Sequence, residues 1–176
     1  MKIFAGLILC IGIGVVSCDQ LCYLNRVFKC RWNLNYGAGW CQSSLDLARC
    51  QIQAAEECNT GFADVARKVL FHLTEACDES STLKIDLTGS CGLGMFEEHP
   101  ECLADYNKEF GRPGRYPFDV IDNERILCKH TPSITKCFRN IIENECTLKE
   151  YLAFVSVMEP TAELQERVCD TIPIDF

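Results

Sequence analysis

Twelve cysteines follow Cys18 in two sets of six, and they constrain this chain more than any other feature. The sets are Cys22, Cys30, Cys41, Cys50, Cys58 and Cys77, then Cys91, Cys102, Cys128, Cys137, Cys146 and Cys169. An even, dense set behind an apolar leader reads as a disulfide framework, not as metal sites or catalytic thiols. The fold must therefore be a scaffold of elements stapled to one another, and the cysteines have no thiol chemistry to spare.

Residues 1–18 read as a signal peptide. Lys2 supplies the positive start, and Ile3 to Val16 is an uncharged run of apolar and small residues. Val16 and Cys18 stand at −3 and −1 of a cleavage that leaves Asp19 first; Val15 and Ser17 offer a second register that keeps Cys18. Cysteine parity favours the first, because it leaves twelve cysteines where the second leaves thirteen. The run is shorter than the roughly 20 residues of a membrane span. A secreted, soluble chain of residues 19–176 is expected.

With Lys2 removed from the 17 basic residues, 16 face 25 acidic ones, a formal charge of −9. Nucleic acid and anionic membranes want clustered Lys and Arg. Here the charges are dispersed and acidic in sum, so neither a nucleic-acid role nor a membrane span is expected. Asn-x-Ser/Thr sequons are absent from the sequence.

The cysteine gaps repeat. Cys41, Cys50, Cys58 and Cys77 leave eight, seven and eighteen residues between them, and Cys128, Cys137, Cys146 and Cys169 leave eight, eight and twenty-two. This order suggests two related six-cysteine halves, 19–85 and 86–176, although their core residues match poorly. The junction falls in the polar stretch 78–90.

Helical periodicity runs through both halves. Phe62, Val65, Ala66, Val69, Leu70, Leu73 and Cys77 give 62–77 one apolar face. Leu45, Ala48, Ile52 and Ala55 mark a helix before it, with Ser43 or Ser44 as N-cap. Thr131-Pro132 reads as an N-cap followed by proline at the first helical position, opening a helix that buries Ile134, Cys137, Phe138, Ile141 and Ile142. Thr147 to Glu150 matches a capping box, Pro160 closes the helix it opens, and Thr161–Cys169 forms a short last one. Further helices are expected at 20–31 and 100–110. Leu83 to Leu87 is the single strand candidate. The fold class is all-α, a disulfide-rich helical domain of about six to seven helices.

Connectivity is not readable, but helix geometry excludes some pairs. Cys50 and Cys58 are eight residues apart, a rise of about 12 Å on one helix, and a disulfide needs Cα atoms within roughly 7 Å. Cys22 with Cys30 and Cys137 with Cys146 are excluded alike. Each should join its helix to another element.

In cysteine count, helical character and the Cys128-x8-Cys137-x8-Cys146 spacing, the chain resembles the secreted twelve-cysteine domain of unknown function expanded in nematodes. It is similar also to cysteine-rich helical proteins of arthropod secretions and venoms. The resemblance covers Cys22 to Cys169 and implies six disulfides, a helical fold and secretion, but no activity.

Catalytic sets are missing. His72 lies near Glu75 on one helix without a nucleophile; His99 and His130 each stand just ahead of a proline-marked helix start. There is no Gly-x-Ser-x-Gly elbow and no His-Glu-x-x-His. The acidic stretch 78–82 lacks the glycine of a calcium loop, and Gly92-Leu93-Gly94 is only a turn. Neither an enzyme, a metal nor a cofactor is expected. Two segments offer recognition surfaces: Trp32, Tyr36 and Trp40 around a glycine-containing loop, and the Gly/Pro-rich stretch 111–118 with Arg112, Arg115 and Tyr116. Core packing and an ordinary connector account for them equally well. The expected function is a non-enzymatic binder of another extracellular protein, with a carrier of small hydrophobic ligands in a cavity between helices and a venom or host-directed effector as the alternatives. Oligomeric state is not readable.

Overall fold

The computed structural model describes residues 18–85, 89, 91–114, 116 and 119–171. Residues 1–17 of the expected leader, 1–18, lie outside them. The described residues form an all-α fold: α1 (Cys18–Asn33), α2 (Trp40–Glu57), α3 (Ala63–Cys77), α4 (Met95–Glu98), α5 (Ala104–Phe110), α6 (Val120–Glu145) and α7 (Leu148–Cys169), with 3-10 turns at Tyr36–Ala38 and Pro100–Leu103. Among these residues no helix is long and apolar enough to cross a membrane. Leu83 to Ile85 form no strand, the Ile85 N–H donating instead to the Ala76 carbonyl; residues 86 and 87 of that candidate lie outside the description.

α3 buries Val65, Ala66, Val69, Leu73 and Ala76, the face its periodicity predicts. α2 begins at Trp40 rather than after Ser43 or Ser44. Gly39, at φ 87°, turns the chain ahead of Trp40, a backbone state that suits glycine. Ser43 then lies inside the first turn, and its hydroxyl donates to the Asn35 carbonyl at 3.1 Å. The capping box at α7 is complete, with the Thr147 hydroxyl oxygen accepting from the Glu150 N–H and the Glu150 carboxylate accepting from the Thr147 N–H.

The largest departures from expectation are at two prolines. Pro132 does not start a helix; it lies inside α6, which begins at Val120 with Asp119 as N-cap accepting from the Ile121 and Asp122 N–H groups. Pro160 does not end a helix; α7 runs through it, so 161–169 is the second half of α7 and not a separate helix. An internal proline removes one backbone bond and crowds the carbonyl four residues back. At both sites neighbouring hydroxyls bind the preceding turn: Thr131 donates to Leu127 O, Ser133 to His130 O and Thr161 to Val157 O, each at 2.8 Å, and Ser156 to Ala153 O at 2.7 Å.

Six disulfides hold these helices: Cys22–Cys58, Cys30–Cys50, Cys41–Cys77, Cys91–Cys146, Cys102–Cys137 and Cys128–Cys169, with Cα separations of 5.4–6.4 Å. None joins two cysteines of one continuous helix, as the geometric argument requires. In each set of six, the first pairs with the fifth, the second with the fourth and the third with the sixth. The fifth directly follows a middle helix (Cys58 after α2, Cys146 after α6), and the sixth ends the next one (Cys77 in α3, Cys169 in α7).

Burial is not divided as the disulfides are. The main core joins Tyr23, Val27, Val65 and Val69 of the first set to Val157, Leu164 and Val168 of the second. A smaller core of Met95, Cys102, Phe138, Ile142 and Phe154 belongs to the second alone.

Candidate functional site: an apolar cavity with a buried carboxylate

Where α1, α2, α3 and α7 meet, their side chains do not fill the space between them. They line a partly open cavity of about 280 Å³. Tyr23, Leu24 and Val27 bring one face of α1 to it, Val69 and Leu73 one face of α3, and Val157, Leu164 and Val168 one face of α7. Apolar carbon dominates this lining.

One wall is polar. Glu124 of α6 is only 7% exposed and accepts a hydrogen bond from Gln165 Nε2 of α7 at 2.7 Å. The same amide nitrogen lies 3.4 Å from Cys169 Sγ and 3.7 Å from Cys128 Sγ, so the disulfide that ties α6 to α7 also fixes where the carboxylate and its donor meet. Tyr23, 2% exposed, packs edge-on against Phe62 at 5.4 Å between ring centres. Burial pushes its phenol well above the ordinary value; the Glu124 charge adds to the rise and the Arg31 charge opposes it. Arg31, two turns along α1 from Tyr23, reaches the same wall.

Behind this wall lies a second, more open cleft of about 460 Å³. Leu24, Val27, Arg31 and Glu124 line both spaces. On the far side stand the aromatic rings of Phe28, Trp32, Tyr106 and Phe110. Phe28 and Trp32 lie 6.4 Å apart, and Tyr106 stacks on Phe110 at 5.4 Å.

The residues singled out in the sequence scatter over this geometry. Trp40 lines the cavity and Trp32, 69% exposed, lines the cleft. Tyr36 lies in the 3-10 turn between them. Arg112 and Tyr116 are exposed, Tyr116 at 67%, and Arg115 lies outside the described residues. The apolar face of α3 does reach the cavity, whereas Phe138 and Ile142 belong to the smaller core.

None of the three histidines lines either space. His130, expected ahead of a helix, lies inside α6 with Nε2 2.8 Å from Glu109 Oε2. His99 caps the Pro100–Leu103 turn, its Nδ1 3.0 Å from Glu101. His72 Nδ1 is 3.6 Å from Glu75, beyond hydrogen-bond range. At residues 78–82, Asp78 Oδ1 accepts from the Ser80 N–H and hydroxyl, both at 2.8 Å, which makes a local turn. Cys91 and Cys146 lie beside Glu150, but a disulfide presents no thiolate to a metal.

The sequence reading missed Tyr23, Glu124 and Gln165. A signal for Glu124 was present: Val120, Glu124, Leu127 and Cys128 fall on one helical face, where a carboxylate interrupts an apolar row. Gln165 reaches the site only through the pairing of α6 with α7, which nothing in its own segment reveals. No family model, curated protein or solved structure matches this chain.

Proposed function

We propose that the protein is a secreted, non-enzymatic carrier that holds a small hydrophobic molecule in the cavity between α1, α3 and α7. The cavity carries this reading. A core of Leu, Val and Ala could close such a space with larger side chains, yet about 280 Å³ stays open between the helices. An apolar cavity of about 150 Å³ already takes benzene, and ligand sites are typically concave, apolar and marked by a few polar groups. The disulfide framework supports an extracellular setting, and the resemblance to the nematode twelve-cysteine domain belongs to the same reading. A non-enzymatic role is supported by His99 and His130, each of which faces a carboxylate and not a nucleophile.

The test is titration with phenylnaphthylamine, a neutral dye that fluoresces in apolar surroundings. Saturable binding of one dye per chain is expected, weakened at least ~10-fold by Leu47→Trp, which places an indole in the lining. A cavity-filled variant of unchanged helix content that binds the dye as tightly as wild type would sink the reading. A second reading, attachment to another extracellular protein, draws on exposed Trp32 at the cleft. It predicts that Trp32→Ala abolishes a protein complex while dye binding survives. A venom or host-directed role is a matter of the same two activities in a particular tissue.

A further inference from the structure

The polar wall says more about the ligand than the cavity's size does. This inference rests on the carrier reading. Among the described residues the buried Glu124 carboxylate accepts one hydrogen bond, from Gln165, whereas a carboxylate has sites for about four. Acceptor capacity therefore remains on a wall that an apolar ligand must touch. Arg31 lines the same wall, in the same two spaces. Both charges are felt at Tyr23, with opposite effect.

A ligand ammonium would gain attraction from Glu124 but meet repulsion from Arg31. A ligand carboxylate would gain from Arg31 and be repelled by Glu124. Either ion would also leave its hydration behind, a loss that buried ion pairs recover only with good geometry and full hydrogen bonding. For an ion placed beside both, the two protein charges act in opposite directions. A neutral hydroxyl loses far less hydration and can donate to the carboxylate in a charge-assisted bond. An apolar chain without a donor would cover the carboxylate and leave its acceptor sites unsatisfied, which costs more than the bond itself is worth.

We propose that the cavity selects an uncharged amphipathic molecule, an apolar body ending in one hydroxyl that donates to Glu124. Leu24, Val27, Val157 and Leu164 contact the body, and the junction with the aromatic cleft is where the hydroxyl sits.

Four probes of equal chain length test this by displacing phenylnaphthylamine at neutral pH: decanol, its methyl ether, decanoate and decylammonium. Decanol is expected to compete at least ~10-fold better than each of the others. In Glu124→Leu, scored against that variant's own affinity for the dye, the advantage of decanol over its ether should fall to about onefold. If that variant does not fold, Glu124→Gln serves: it removes the charge opposing an anion, so decanoate should gain on decylammonium. An ether as strong as the alcohol, or an ion as the strongest competitor, overturns the proposal. So does failure of all four to displace a dye that itself binds saturably. Each of these outcomes leaves the carrier reading standing. If the dye never binds saturably, the carrier reading fails first and takes the proposal with it.

Discussion

Glu109 shows what a single side chain contributes here. One carboxylate oxygen, Oε2, accepts from Lys129 Nζ at 2.7 Å and meets His130 Nε2 at 2.8 Å, tying α5 to α6. Hydrogen bonds from Lys129 and then His130 hold its carboxyl below the ordinary range. A carboxyl group whose folded value lies below its unfolded one adds stability that is fully present above the ordinary value of about 4.3. That stability is lost as pH falls through the lowered folded value. Glu109→Gln should therefore melt below wild type at pH ~7, and the difference should vanish near pH ~2, where wild type has lost its charge too. Thermal unfolding of both proteins at the two pH values checks this. A gap that persists in acid would mean that Glu109 acts through packing. Partial exposure of both partners, and the screening that comes with it, keeps the effect small. None of this could be read from the local sequence around His130. Its neighbours Thr131 and Pro132 imitate a helix start, and the group that defines its environment lies twenty-one residues away.

At the scale of elements, the apolar stripe of α3 and the capping box of α7 were legible, and the Ser43 or Ser44 cap and the prolines were not. The stripe of α3 and the capping box of α7 are local: the residues that make them lie within one or two turns. Pro132 and Pro160 mislead because their local preference is overridden from outside. Pro160 is buried among other helices. Pro132 stands between Cys128 and Cys137, which anchor α6 to α7 and to the Pro100–Leu103 turn. Covalent ties on both sides of a poor helical position hold it in the helix. Interior proline is about 3 kcal/mol less favourable than alanine, and Pro132 is exposed. Pro132→Ala should therefore raise stability by about 1–3 kcal/mol, part of the full difference being absorbed already by the Thr131 and Ser133 hydroxyl bonds. Urea unfolding gives the number. A loss of stability instead would show that α7 packs against a bend that only proline maintains. Glu124 was hidden by the same error, since a helix thought to begin at Pro132 leaves residues 120–131 in a connector.

For the whole molecule, the disulfides and the core divide the chain differently. Each set of six cysteines closes on itself in the same order, first to fifth, second to fourth and third to sixth, with the fifth and sixth at matching helix ends. Two copies of one three-helix unit would carry this order. Repeated gaps in the sequence hinted at it, but only pairing makes the comparison position by position. The loops so closed, 20 to 55 residues long, each stabilise by about 3–4 kcal/mol through the unfolded chain. Yet Val65, Val69 and Leu73 of α3 pack in one core with Val157, Leu164 and Val168 of α7, and Lys68 meets Glu163 at 3.1 Å across the same contact. Burying a side chain of this kind contributes about 1.5–3 kcal/mol. Losing three such faces exceeds the net stability a small domain can spare. Residues 19–85 expressed alone should therefore form their three disulfides and remain helical by circular dichroism, but bind a hydrophobic dye and melt without a cooperative transition. The full chain should melt in one transition. A sharp, independent melt of 19–85 would instead make the halves two domains and would leave the cavity, whose walls come from both, without a fixed shape.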